Sequence, residues 1–318
     1  MLKKNFKSEI SIILPCYNEQ EGIIKFTDKL VERLEKKITK NFEIIIVDDG
    51  SQDRTKKFLI KLCKKNKKIK LISFTKNFGH QSAILAGLEK SSGKATVIMD
   101  SDFQHPIEIL DKFYYHWKSK KTKIVHGIKK RQQTTIIKNF LSIIGYFLLN
   151  LLSNHHVEPG GSDFYLIDSE VKEKILEINE PNIIFRMYFS LLGYKKKNIF
   201  FNSNKRKYGD SKYDLSKSFY LLRNGILTSS IRPIRAILSL GIITFLISVC
   251  FIIFQLYEYF YTENLMPPGF ATLAILILVF GGINILAIGL IGEYLSYLIY
   301  FKLSKLKYVV DETKNFRK

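Results

Sequence analysis

Five short apolar runs punctuate the first 127 residues, and four of the segments that follow them are strongly polar. The runs are ISIIL (10–14), FEIIIVD (42–48), IKLIS (69–73), ATVIMD (95–100) and TKIVHG (122–127). Longer stretches with helical spacing separate them, so this part of the chain is predicted to be α/β, with repeated strand–helix units around a mostly parallel sheet. Each run is nearly continuous in apolar residues, as strands covered on both faces by helices must be. Ligands of such sheets bind beyond the carboxyl ends of the strands. PCYNEQE, DDGSQD, NFGHQ and DSDFQH stand at those ends.

The carboxyl-terminal third has a different character. Residues 236–254 and 270–291 are each about 20 residues long and carry no charge, enough for a helix to cross a hydrocarbon core of about 30 Å. Arg232 and Arg235 precede the first stretch, Lys302, Lys305 and Lys307 follow the second, and YTENLMPPG between them has neither Lys nor Arg. The charge asymmetry places both ends in the cytoplasm and the short connection outside. The predicted layout is a cytoplasmic catalytic domain (1–210), juxtamembrane amphipathic helices (211–234), a two-helix transmembrane anchor (235–300) and a basic tail (301–318), expected to be mobile. Residues 136–152 form a helix with one narrow polar stripe, which fits a buried core helix or one lying in the membrane interface. A strand at 163–167 and helices at 169–178 and 182–192 are expected to complete the domain, followed by a basic loop, NSNKRKYGDSKY. The first residues lack the apolar stretch and cleavage site of a signal peptide, so the amino-terminal domain is expected in the cytoplasm of a cell with an inner membrane.

Composition fits a membrane protein: 46% hydrophobic residues coexist with 50 Lys+Arg against 29 Asp+Glu. A net charge of +21 suits an anionic bilayer, a phosphorylated substrate or nucleic acid. Much of the lysine lies on presumed helix surfaces, and nucleic acid is set aside as a partner. Cys16, Cys63 and Cys250 are far apart and lack zinc or redox spacing, which fits a reducing compartment.

The segment Asp100-Ser101-Asp102-Phe103-Gln104 follows a strand directly. In an extended segment alternate side chains share a face, so Asp100, Asp102 and Gln104 are expected to point at one spot. Two carboxylates and an amide oxygen make a hard-oxygen site suited to Mg²⁺ or Mn²⁺, with positions left for substrate phosphates. Asp48 and Asp49 stand in a turn permitted by Gly50. They are read either as acceptors for a nucleoside or as turn residues beside a helix cap at Asp53. Pro15, Tyr17 and Glu19 close the first strand in the same layer, with an aromatic face and a carboxylate. His80 is read as a packed or capping residue.

Together, LPCYNEQEGI, VDDGSQDRT, NFGHQSAILAGL, MDSDFQHP, GSDFYLID, RKYGDSKY, SSIRPIR and GLIGEYL resemble family 2 glycosyltransferases, in that family's order and over nearly the whole chain. They look most like its polyprenyl-phosphate branch, which includes dolichyl-phosphate mannose synthase and the bactoprenol glucosyltransferases. The resemblance implies a GT-A (Rossmann-like) domain followed by two transmembrane helices. It implies that Pro15, Tyr17, Glu19, Asp48 and Asp49 hold the nucleoside, and that Asp100, Asp102 and Gln104 hold Mg²⁺ or Mn²⁺. Asp100 and Lys129 would face the donor's phosphates, with Arg131 nearby. Many relatives carry Arg at the positions of Lys129 and Tyr165, and lysine lacks the planar fork of arginine.

A polyprenyl phosphate acceptor arrives already ionised and needs positioning more than a general base. Arg131, Arg206 and Lys212 are candidates to cradle it, or else an unselective patch for anionic lipid. Asp163 is expected in a loop, where it either orients sugar hydroxyls or bonds to backbone at a strand start. Asp102, Arg131 and Asp163 form the expected catalytic set. Direct attack by the phosphate inverts the anomeric carbon, the absent Q-x-x-R-W motif implies transfer of one hexose, and the bacterial look of the anchor favours UDP over GDP. The product is expected to be a polyprenyl-phosphate sugar for cell-surface glycan modification. Two alternatives stay open: a glycolipid or glycan acceptor, and a catalytically silent membrane scaffold or nucleotide sensor. Assembly into a homo-oligomer is also open.

Overall fold

The structure, a computed structural model, describes residues 6–130, 161–178, 185–202, 270–303 and 307–316, with isolated helical positions between 237 and 261. Eight strands form one sheet: β1 (Ser8–Cys16), β2 (Phe42–Asp48), β3 (Ile69–Phe74), β4 (Gly93–Ile98), β5 (Ile124–Lys129), β6 (Gly161–Asp168), β7 (Lys196–Phe201) and β8 (Val310–Lys314). Their spatial order is β7-β5-β6-β4-β1-β2-β3-β8. β1 pairs in parallel with both β2 and β4, and β2 with β3. Only β6 and β8 run against the rest.

The sheet is covered on both faces, and the period-two alternation of its strands decides what each face meets. Ile10, Ile12, Leu14, Ile44 and Ile46 pack with α1 (Ile23–Arg33), α2 (Thr55–Lys65) and α4 (Ile109–Lys120). Ile13, Ile45 and Val47 meet α3 (His80–Lys90), α5 (Ser169–Glu177) and α6 (Phe185–Leu191) on the other side. At the amino ends of the strands, buried Glu43 accepts from Ser11 Oγ at 2.5 Å, Lys70 Nζ at 2.5 Å and Ser92 N at 2.6 Å. Burial pushes its pKa up, but these bonds outweigh that push and hold it below the ordinary carboxylate value.

Several expectations are corrected. The basic tail, expected to be mobile, contains β8, which pairs antiparallel with β3. Tyr308 stacks on Phe74 with centroids 4.9 Å apart, and Asn315 Nδ2 donates to the Ile69 carbonyl at 2.6 Å. The strand expected at 163–167 is longer, Gly161–Asp168, because pairing with β4 and β5 carries the extended backbone back to Gly161, and Asp163 sits inside it rather than at its start or in a loop. β7 falls where no strand was expected. The segment 136–152, Arg131, Arg206 and Lys212 lie outside the described residues, as does most of 236–254.

The last helix, α7 (Phe270–Leu303), has 34 residues and is about 51 Å long at the α-helical rise. Leu273, Ile277, Ile285, Ile288 and Leu298 on it are each more than half exposed. Among the described residues no helix is long and apolar enough to cross a membrane.

Gly87 brings α3 against β1: a Cβ there would lie 2.5 Å from Cγ2 of fully buried Ile13. Replacing a helical glycine with alanine ordinarily gains about 1 kcal/mol, whereas overpacking costs about 1–3 kcal/mol. Ile13 is β-branched and stiff, so the clash should win. Gly87→Ala is expected to lower the melting temperature, and an unchanged or higher melting temperature would refute this packing account.

Candidate active site

The loops that leave β1 and β2 are zipped together by hydrogen bonds. The N–H of Asn18 donates to Ser51 Oγ at 3.0 Å, that of Gln52 to Asn18 Oδ1 at 2.9 Å, and that of Glu19 to Thr55 Oγ1 at 2.9 Å. Asn18 holds a left-handed backbone with φ 56°, which turns the chain back toward the second loop. Pro15 stands opposite Val47 near the end of β2, and the Glu19 backbone is tied to Thr55 at the start of α2. Asp48 is fully buried and accepts from Ser51 N at 3.1 Å and Ser73 Oγ at 3.0 Å. That carboxylate holds the turn.

Asp49 reaches to the next loop. Its Oδ1 accepts from Phe78 N at 2.7 Å and its Oδ2 from Gly79 N at 3.0 Å. Between them Gly50 has φ +69°, and a Cβ there would stand 2.3 Å from the Lys76 carbonyl carbon. Only glycine permits both that conformation and that approach.

After β4 the expected extended geometry is not found. The strand ends at Ile98, Phe103 has φ 64°, and Gln104 N donates to Asp102 Oδ1 at 3.0 Å, so 100–104 is a turn. Phe103 sets this turn by packing edge-on against Phe26, with centroids 5.0 Å apart. Gln104 Oε1 accepts from Lys129 Nζ at 3.0 Å, which brings the end of β5 to the same place.

His80, at the start of α3, lies between two carboxylates: its Nε2 is 3.6 Å from Asp100 Oδ1 and 3.6 Å from Asp163 Oδ2. Gln81 Nε2 holds Asp163 Oδ2 at 3.0 Å, and Gln81 Oε1 accepts from Phe185 N at 3.2 Å. Asp100, Asp163, His80 and Lys129 thus converge from four different elements, with Asp102 in the same turn as Asp100. Sequence reasoning passed over His80 and Gln81. The signal was available, since both open a helix directly beyond the carboxyl end of β3.

Behind Asp100 lies His105, buried and stacked on Phe164 with centroids 4.7 Å apart. Its Nδ1 accepts from Asp100 N at 2.9 Å. A backbone N–H can only donate, so the ring proton sits on Nε2, which faces Asp100 Oδ2 at 3.6 Å. Burial lowers the His105 pKa and keeps the ring neutral.

No group of three or more His, Cys, Asp or Glu among the described residues is arranged to cage a metal. The chemistry of the donors fits Mg²⁺ or Mn²⁺ all the same. Mg²⁺ in particular is held by one or two carboxylates plus substrate phosphates rather than by an all-protein cage. The Asp100 side chain, one-third exposed, is open to such an ion.

The sequence model described as Glycosyl transferase family 2 matches residues 11–176. The chain belongs to that family. It is 30% identical to the putative glycosyltransferase CsbB of Bacillus subtilis, over 95% of this chain and 91% of that protein. It is 28% identical to a prophage bactoprenol glucosyl transferase homolog of Escherichia coli, over 96% of this chain and 99% of that one. Among solved structures, glucosyl-3-phosphoglycerate synthase from Mycobacterium tuberculosis, with Mn²⁺, UDP and phosphoglyceric acid, superposes with a TM-score of 0.48. Its identity is 17%, covering 70% of this chain and 77% of that one.

Burial raises the Asp49 carboxyl from its ordinary 3.8 to about 6, against the pull of the Phe78 and Gly79 N–H groups. A carboxyl whose pKa rises on folding holds its proton more tightly in the folded state. Its stabilising contribution is complete below pH 3.8 and is lost as the pH rises to about 6. Asp49→Asn keeps an oxygen for both N–H groups and removes that titration. Urea unfolding of the variant is expected to give a flatter stability–pH curve across this window than the wild type; an identical slope would count against the assignment.

Proposed function

We propose that the chain transfers one hexose from a nucleotide-diphosphate sugar, foremost a UDP-sugar, to a polyprenyl phosphate such as undecaprenyl phosphate. The observation that carries this reading is the convergence of Asp100 and Asp163 on His80, with Lys129 bonded into the turn that holds Asp102. Carboxylates beside an ammonium at the carboxyl ends of a parallel sheet suit a nucleotide diphosphate and its metal. Similarity to proteins named bactoprenol glucosyl transferase supports the lipid acceptor.

In this reading Pro15, Tyr17, Glu19 and Asp49 receive the nucleoside, with Asp48 bracing the turn beneath. Asp100 and Asp102 would hold Mg²⁺ or Mn²⁺, which would take up charge on the departing diphosphate. Gln104 joins them once Lys129 turns from its amide oxygen to a phosphate. Asp163, fixed by Gln81, orients the sugar hydroxyls. The acceptor phosphate is cradled by Arg131, Arg206 and Lys212. Its oxygen forms a bond to the anomeric carbon as the bond to the diphosphate breaks, so the configuration inverts. The acceptor oxygen is already ionised at neutral pH, and catalysis is a matter of alignment and charge compensation. The product is a polyprenyl-phosphate sugar that serves as donor for cell-surface glycan modification.

A lipid acceptor calls for a membrane. In the proposed arrangement α7 and residues 236–254 cross the inner membrane, leaving the catalytic domain and both termini in the cytoplasm. The apolar exposed surface of α7 supports this. A cysteine introduced within 261–269 is expected to react with an impermeant reagent from the outside; reaction from the cytoplasmic side alone would reverse the topology.

Labelled UDP-glucose, UDP-GlcNAc, UDP-galactose and GDP-mannose, each offered with undecaprenyl phosphate as sole acceptor, test the reaction. One donor is expected to yield a labelled lipid, and a labelled glycan or diacylglycerol instead would move the acceptor. Asp102→Ala is expected to cut transfer by at least about 10²-fold with the melting temperature unchanged. Near-normal transfer by metal-depleted protein would refute the metal assignment.

A further inference from the structure

The carboxyl-terminal strand does more than close the edge of the sheet. β8 arrives beside β3 just where the loops after β2 and β3 open, and between them is a cavity of about 290 Å³. That is close to the lower end of small-molecule sites, roughly 300–1,000 Å³, and suits a nucleobase with part of its ribose. The loop residues Gly50, Ser51 and Asn77 line it, together with Lys56 from the first turn of α2 and Asp311 from β8. Lys56 Nζ and Asp311 Oδ2 are 2.5 Å apart, with both side chains one-third to one-half exposed.

An ammonium has three protons to donate and a carboxylate two oxygens that accept. After their mutual bond each keeps capacity for a ligand. Side by side they offer one donor and one acceptor, the complement of a ring carbonyl adjoining a ring N–H. Uracil and guanine carry that lactam edge. Cytosine and adenine present an unprotonated ring nitrogen beside an amino group; in the register that sets Lys56 on the exocyclic group and Asp311 on the ring nitrogen, this places an amino group against the ammonium and an acceptor against the carboxylate.

We infer that Lys56 and Asp311 together read the base of the sugar donor, selecting a lactam nucleobase, with the carboxyl-terminal strand supplying the acceptor half of the site. The inference rests on the donor-site reading above and extends it to a residue more than 250 positions downstream of Lys56. Tyr308, stacked on Phe74 and bonded to Glu89, fixes the strand so that Asp311 faces the cavity.

Calorimetric titration of the full chain in detergent with UDP, GDP, CDP and ADP, each with Mg²⁺, tests this. Wild type is expected to bind UDP or GDP at least about tenfold more tightly than CDP and ADP, the value of one charge-assisted hydrogen bond. Asp311→Ala and, separately, Lys56→Met should erase that preference while leaving CDP and ADP affinity and the melting temperature nearly unchanged. The ion pair itself is too exposed to matter much for stability. Equal loss for all four nucleotides, or a preference that survives in both variants, overturns the inference and leaves the donor site standing. Wild-type protein that binds none of the four overturns the donor-site reading and this inference with it.

Discussion

The register of β1 against its two parallel neighbours is the constraint from which the site follows. Cys16 stands opposite Asp48 in β2, and Ile13 opposite Ile98 in β4. This alignment brings the loops carrying Tyr17, Asp49 and Asp100 to one edge of the sheet. A slip of one residue would turn Ile12, Leu14, Ile44 and Ile46 toward the helices of the opposite face and break the packing of both layers. The packing that sets the fold also sets the distance between these side chains, so no separate device is needed to bring them together.

Gathering Asp100, Asp102 and Asp163 near one another is costly unless positive charge or hydrogen bonds offset their mutual repulsion. The fold supplies both from rigid elements. His80 stands at the start of α3, Lys129 ends β5, and Gln81 ties Asp163 to the backbone of α6. His105 contributes differently, since its Nδ1 is committed to the Asp100 N–H and its buried ring stays neutral. The charge that balances the carboxylates therefore comes from groups other than His105, with the Lys129 ammonium bonded into the turn that carries Asp100 and Asp102.

What could be read from the sequence was what local pattern encodes. Residues 42–48 were placed to the residue, because FEIIIVD is buried along its whole length and bounded by polar turns. The four polar segments fell where the sheet puts ligands. What could not be read depended on distant partners. VDETK has no apolar alternation and is a strand only because β3 offers an unpaired edge. KKNIFF likewise becomes β7 by adding to β5. The turn at 100–104 looked extended because Asp-x-Asp-x-Gln has the right period. Phe103 overrode that period by seeking Phe26, and the Asp102 carboxylate closed the turn on the Gln104 N–H. The strand expected at 163–167 begins two residues earlier, at Gly161, because partners that set its length could not be seen locally.

The tail makes the same point on a larger scale. α7 ends at Leu303, and within a few residues the chain is a strand beside the loops proposed to receive the donor. An edge strand with exposed N–H and C=O groups invites pairing with any extended chain, and proteins cover such edges or charge them. Here β8 does both, covering β3 and carrying the charged residues Asp311, Glu312 and Lys314 along its length. Because the cover comes from the far side of α7, the covered edge exists only when the chain has passed through that helix and returned. If α7 lies in the bilayer, a catalytic domain severed from it would lose the β3 cover and the acidic wall of the cavity together. Anchor and donor site would then be coupled by chain connectivity alone, with no conformational signal passing between them.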